Sequence, residues 1–136
     1  MDLSHTEIFH FEPFRIEEGK VNEFAKALGI DEVFTDNTAV PPTFFTVIDY
    51  WNDRDFYQML EEFNIPSNNV LHGEQSYEYM VDVFIGDTIS AKATLLKTLH
   101  KNNKIFYFLE TIYTNQMKIT VAIGRATLIE LELDSA

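Results

Sequence analysis

Apolar and polar residues roughly alternate from Phe9 to Ile16, with Phe9 and Phe11 followed by Phe14 and Ile16, and Pro13 interrupts the run. A proline cannot donate to a sheet ladder, so this pattern predicts a short edge strand. From residue 17 to residue 28 the period changes. Val21, Phe24, Ala25 and Leu28 fall three and four apart, which predicts one apolar face of a helix. Gly29 follows as its C-terminal cap. Residues 30–40 read as a loop closed by Pro41-Pro42, which sets an extended entry and then permits a helix to start. Residues 43–63 carry Phe44, Val47, Ile48, Trp51, Met59, Leu60 and Phe63, mostly on one face of a long helix. Asn52-Asp53-Arg54-Asp55 is a point where that helix can break. Residues 64–69, with Pro66, turn the chain.

Beyond residue 70 the period is two. Tyr77, Tyr79, Val81 and Val83 alternate within 70–83, and Ile89, Ala91, Ala93 and Leu95 within 89–100. Residues 105–113 are rich in β-branched and aromatic side chains, and 119–133 form a last strand in which Gly124 marks a bulge or a close approach. Gly86-Asp87, Asn102-Asn103 and residues 115–118 are the turns. Long strands joined by such short turns form an antiparallel meander. The sum is an α+β chain, with a long helix packed into a curved antiparallel sheet so that each buries the other's apolar face.

Composition narrows this only a little. The 136 residues fit a single domain, 1–136, with 46% hydrophobic and 24% charged residues. The absence of cysteine excludes a disulfide scaffold, thiol chemistry and a cysteine zinc site. His5, His10 and His100 have no metal-ligand spacing, and neither a metal nor a cofactor is expected. A net charge of -12 argues against nucleic acid and anionic lipid as partners. No run of roughly 20 apolar residues predicts a membrane span, and Met1-Asp2-Leu3-Ser4-His5 does not open like a signal peptide. A cytoplasmic location is therefore expected.

Three local patterns carry a family resemblance. Residues 14–29 pass from a strand into a helix that ends at Gly29, Val40-Pro41-Pro42-Thr43-Phe44 precedes the long helix, and Leu71-His72-Gly73-Glu74-Gln75-Ser76-Tyr77-Glu78-Tyr79 leads to Ile85-Gly86-Asp87. In that order they resemble the N-terminal dehydratase-like domains of the MaoC family. The resemblance implies a hotdog fold. It also implies an acyl-thioester ligand on CoA or on an acyl carrier, and hydratase or dehydratase chemistry on enoyl and 3-hydroxyacyl thioesters in fatty-acid-type metabolism. Sites of this family lie at a dimer interface, which implies a homodimer or a heterodimer with a second hotdog domain.

Hydration of an enoyl thioester needs a group to activate water, a group to protonate the α-carbon and donors to the enolate-like oxygen. Active members carry the acid–base pair in a Gly-Asp-x-Asn-Pro-hydrophobic-His run. Here the corresponding run is Gly29-Ile30-Asp31-Glu32-Val33-Phe34-Thr35-Asp36. In one register Ile30 and Thr35 occupy the acidic and histidine places; shifted by one, Asp31 and Asp36 do. Neither register supplies the dyad, so the chain fits a dyad-lacking half that pairs with a catalytic domain. The remaining catalytic candidates are His72 and Glu74, expected on one face of a strand, and Asp31. Thr43, Phe44, Gln75 and Tyr77 are candidate substrate contacts. A thioesterase using His72 or Glu74 and a non-catalytic partner subunit are the alternatives. A structural role for the imidazole and carboxylate, satisfying backbone groups where helix meets sheet, stays open beside these.

Overall fold

The computed structural model describes residues 7–51 and 53–131, with side chains 49–54 excepted. Strands β1 (Ile8–His10) and β2 (Phe14–Arg15) precede helix α1 (Glu18–Ala27). A 3-10 turn (Pro42–Phe44) leads into α2 (Phe45–Trp51), and α3 (Asp53–Glu62) follows. Strands β3 (Val70–Tyr79), β4 (Thr88–Lys101), β5 (Lys104–Thr114) and β6 (Thr120–Leu131) complete the chain. The helix expected over 43–63 is therefore described as two helices flanking Asn52, which lies outside the described residues. The strand expected over residues 9–16 is two short strands, split where Pro13 stands.

The sheet runs in the order β1-β4-β5-β6-β3, with every neighbouring pair antiparallel, and β2 also pairs with β4. Two hairpins build its centre as the turn residues predict. Asn102 and Asn103 both take positive φ, 52° and 60°, the conformation of a tight two-residue hairpin that Asn tolerates. Asn115 Oδ1 accepts from the amides of Met117 and Ile119 at 2.9 and 3.1 Å, closing the β5–β6 turn.

β3 does not pair with β4, which follows it in sequence. It lies beyond β6, at the edge of the sheet. The strand expected to reach Val83 ends at Tyr79, because the Met80 and Val81 amides both turn to the Val121 carbonyl, at 2.9 and 3.2 Å. The chain then crosses back, tied by the Val40 amide to the Val83 carbonyl at 2.8 Å and turned at Gly86, φ 97°.

The helices cover one face of this sheet, and the burial pattern explains the sequence periods. Val21 and Ala25 of α1, Phe44, and Phe45 and Ile48 of α2 pack with Ile89, Tyr113, Val121 and Ala122 in one buried cluster. Met59 and Leu60 of α3, with Phe63 and Ile65, pack with Ala93, Tyr107, Leu109 and Leu128 in a second. Gly124 is where two rings lie against the sheet backbone. A Cβ there would sit 3.2 Å from both the Tyr113 and Tyr77 rings, so this glycine marks a close approach.

Candidate active site

β3 positions the most polar of the candidates, and a register shift between His72 and Glu74 decides where they point. His72 stands opposite Leu128, which is buried beneath α3, whereas Glu74 stands opposite Thr127 and Gln75 opposite Ala126. In a regular strand His72 and Glu74 share a face. The extra residue, Gly73, breaks that alternation, so His72 and Gln75 look inward together and Glu74 looks out. The expected His72–Glu74 pair is therefore not formed. Gly73 suits this place because a Cβ would meet Ile129 Cδ1 at 2.9 Å and the Thr127 carbonyl oxygen at 3.3 Å.

His72 and Gln75 line a cavity of about 50 Å3 between α3 and the inner face of the sheet. Its other walls are largely apolar: Phe11, Phe56, Met59, Leu109, Ala126 and Leu128, with Gly124. Thr111 and Tyr113 add their hydroxyl-bearing side chains. The His72 imidazole stacks on Phe56, with ring centroids 5.8 Å apart and planes 19° from parallel. Partial burial lowers its pKa below the ordinary 6.5, which favours the neutral imidazole. Gln75 donates from Nε2 to the Arg125 carbonyl at 3.4 Å, a long bond that leaves its second amide hydrogen available. A cavity with apolar walls and a few converging polar groups suits a ligand with a hydrocarbon part and one polar head.

A second cavity, of about 20 Å3, is lined by Phe11, Glu12, Phe14, Ile48, Ile89, Ala91 and Tyr113. Phe11 and Tyr113 border both.

The other expected residues lie elsewhere. Asp31 is exposed on the loop after α1. That loop is clamped by Asn22, whose Oδ1 accepts from the Phe34 amide at 2.8 Å and whose Nδ2 donates to the Phe34 carbonyl at 3.0 Å. Asp31 does not line the cavity of His72. Thr43 is exposed on the 3-10 turn. Phe44 is fully buried among Phe14 and Phe24, at ring distances of 6.4 and 5.5 Å, and is core. Tyr77 packs with Phe45 and Tyr113, at 5.9 and 6.3 Å, behind the cavity wall.

Phe11, Phe56 and Thr111 escaped the sequence reading. Phe56 was legible in principle, since it extends Met59, Leu60 and Phe63 by one helical step. Thr111 is the polar member of the inward series Tyr107, Leu109, Thr111, Tyr113. Phe11 alternates with Phe9 in the predicted edge strand, a pattern that marks an apolar face and carries no sign of a cavity. Among the described residues no group of His, Asp and Glu forms a metal cluster, and no helix is long and apolar enough to cross a membrane.

A family model described as "FAS1-like, dehydratase domain region" matches residues 5–123. No curated protein matches the sequence. Among solved structures, the C-terminally truncated HadBC (3R-hydroxyacyl-ACP dehydratase) complex from Mycobacterium tuberculosis is similar. Its TM-score is 0.74 at 18% identity, over 91% of this chain and 95% of that one. The MaoC-like dehydratase from Rhodospirillum rubrum gives 0.70 at 12% identity, over 96% and 94%. The ChsH1–ChsH2 complex from Mycobacterium tuberculosis gives 0.68 at 11%, over 93% and 86%. Identities this low speak for the fold alone, and that fold is the hotdog.

Proposed function

Because the chain belongs to the FAS1-like dehydratase region family, whose structural relatives include MaoC-like hotdog dehydratases, we propose that it binds an acyl thioester and forms the dyad-lacking half of a hydratase or dehydratase. The observation that carries this reading is the convergence of His72, Gln75 and Thr111 on one otherwise apolar cavity. The acyl part lies against Met59, Leu109 and Leu128. The thioester carbonyl sits at the His72 and Gln75 side, where an imidazole N–H and an amide N–H donate to its oxygen. Such donors bind harder as the oxygen gains charge in an enolate-like transition state.

Among the described residues, the cavity is lined by one imidazole and no carboxylate. A second hotdog domain therefore supplies the remaining acid–base group. β3 is the surface for it: a ten-residue strand at the edge of the sheet with a described strand neighbour on one side only. Open edges of this kind recruit further strands. The HadBC and ChsH1–ChsH2 structures are complexes, which supports the same reading. Thioester hydrolysis by a His72–Glu74 pair has no support in the geometry, because Glu74 faces the other side of the sheet.

The test uses crotonyl-CoA with the isolated chain. The expected result is a rise in melting temperature without loss of enoyl absorbance, the rise disappearing in His72→Ala and Gln75→Ala. Turnover that His72→Ala abolishes would place catalysis wholly in this chain, and no shift at any concentration would remove the ligand class.

A further inference from the structure

We propose that Phe11 is the acyl-length gate of this site, holding the wild-type chain to short acyl groups by standing between two cavities that would otherwise be one. This rests on the thioester reading above and specifies its substrate class. The cavity of about 50 Å3 at His72 and the smaller one of about 20 Å3 beyond it lie along the seam where the two core clusters meet. Among the described residues they share two walls, Phe11 and Tyr113. Met59, Leu109 and Leu128 border the first alone; Ile48 and Ile89 border the second alone.

The two shared walls differ in how firmly they are built in. Tyr113 is 1% exposed, packs edge-on to Phe45 at 5.1 Å and lies against Gly124. It belongs to the core and is fixed. Phe11 is only half-buried, in the connection between β1 and β2, and touches Phe9 edge-on at 5.0 Å. Its backbone is nevertheless pinned. The Phe11 amide donates to the Ala91 carbonyl at 3.0 Å, and the next amide, Glu12, donates to buried Asp55 at 2.8 Å. A pinned backbone with a removable ring makes a gate whose side chain sets the depth.

The size of the inner cavity sets the expected length. One water needs roughly 10–15 Å3 of such space, so the cavity of about 50 Å3 at His72 takes about three to five groups of that size. An acyl tail of two to four carbons fills it. Longer tails must displace the Phe11 ring to reach Ile48 and Ile89.

The test follows methyl NMR signals in the wild-type chain and in Phe11→Ala. Each is titrated with butanoyl-CoA, hexanoyl-CoA and, separately, 1-hexanol, an apolar probe that needs no thioester contact. In the wild type, shifts are confined to Met59, Leu109 and Leu128. In Phe11→Ala, hexanoyl-CoA and hexanol also move Ile48 and Ile89, and hexanoyl-CoA binds about tenfold tighter than to the wild type through its two extra methylenes. Butanoyl-CoA binds no tighter to Phe11→Ala than to the wild type, since its tail loses the contact with the Phe11 ring and is too short to gain the second cavity.

Shifts at Ile48 or Ile89 in the wild type, or an unchanged pattern in Phe11→Ala, overturn the gate. If neither thioester binds but hexanol respects and then crosses the barrier, the gate stands and the thioester reading fails. Phe11→Leu, which keeps an apolar side chain of intermediate size, carries the same comparison should Phe11→Ala not fold.

Discussion

His72 and Glu74, two residues apart on one strand, lie on opposite faces of the sheet, because the register against β6 shifts between them at Gly73. The shift turns the imidazole and the Gln75 amide into the same cavity. Gly73→Ala tests its importance. The added methyl meets Ile129 and the Thr127 carbonyl, so a loss of about 1–3 kcal/mol is expected by urea unfolding, the usual cost of overpacking. Ligand affinity should fall with it. An alanine as stable and as tight-binding as the wild type would mean that the bulge does not depend on glycine.

The lowered pKa of His72 has a sign that can be checked. Burial favours the neutral imidazole, so the folded state gives up its proton at lower pH than the unfolded chain, whose value is the ordinary 6.5. Its contribution to stability is complete above 6.5 and is lost as pH falls through 6.5 toward the folded value. The His72 ring signals should titrate with a midpoint below 6.5. A midpoint at or above it would contradict a partly desolvated ring stacked on Phe56.

Tyr107 donates its hydroxyl to Glu130 Oε1 at 2.5 Å, and burial together with this bond holds the phenol above its usual range. Tyr107→Phe leaves a half-buried carboxylate without this donor. A loss of about 1.5–3 kcal/mol is expected for a hydrogen bond to a charged acceptor. Equilibrium denaturation should show it as a lower midpoint with an unchanged slope.

Gly124→Ala should fill space that Tyr77 and Tyr113 now occupy, displacing one ring toward the cavity. A destabilisation of about 1–3 kcal/mol is expected. Weaker acyl-CoA binding should accompany it, because Gly124 and Tyr113 both line the cavity. Normal affinity with reduced stability would separate the packing of these rings from the site.

Much of the fold is legible in the sequence because burial imposes a period. Val21 and Ala25 mark the buried face of α1, and alternation from Ile89 to Leu95 marks the inner face of β4. Asn102-Asn103 and Asn115 name their turns because each supplies a local conformation or hydrogen bond. The placement of β3 beside β6 is not local. It depends on the return of the chain between Tyr79 and Thr88, where the period-two spacing of Val81 and Val83 predicts a strand that in fact ends at Tyr79. The site is less legible for the same reason. Strand alternation puts His72 with Glu74, and only the tertiary register reveals that Gly73 reverses the facing. Phe11, Phe56 and Thr111 come to the cavity from three separate elements.

The thioester-binding cavity is tested most directly by calorimetric titration of butanoyl-CoA into the wild-type chain and into the double variant His72→Ala, Gln75→Ala. The expected result is saturable binding in the wild type and at least a tenfold loss in the double variant, about 1.4 kcal/mol or more. Affinity unchanged by the double variant, or no saturable binding to the wild type, would contradict the assignment of the ligand to the cavity between α3 and the sheet.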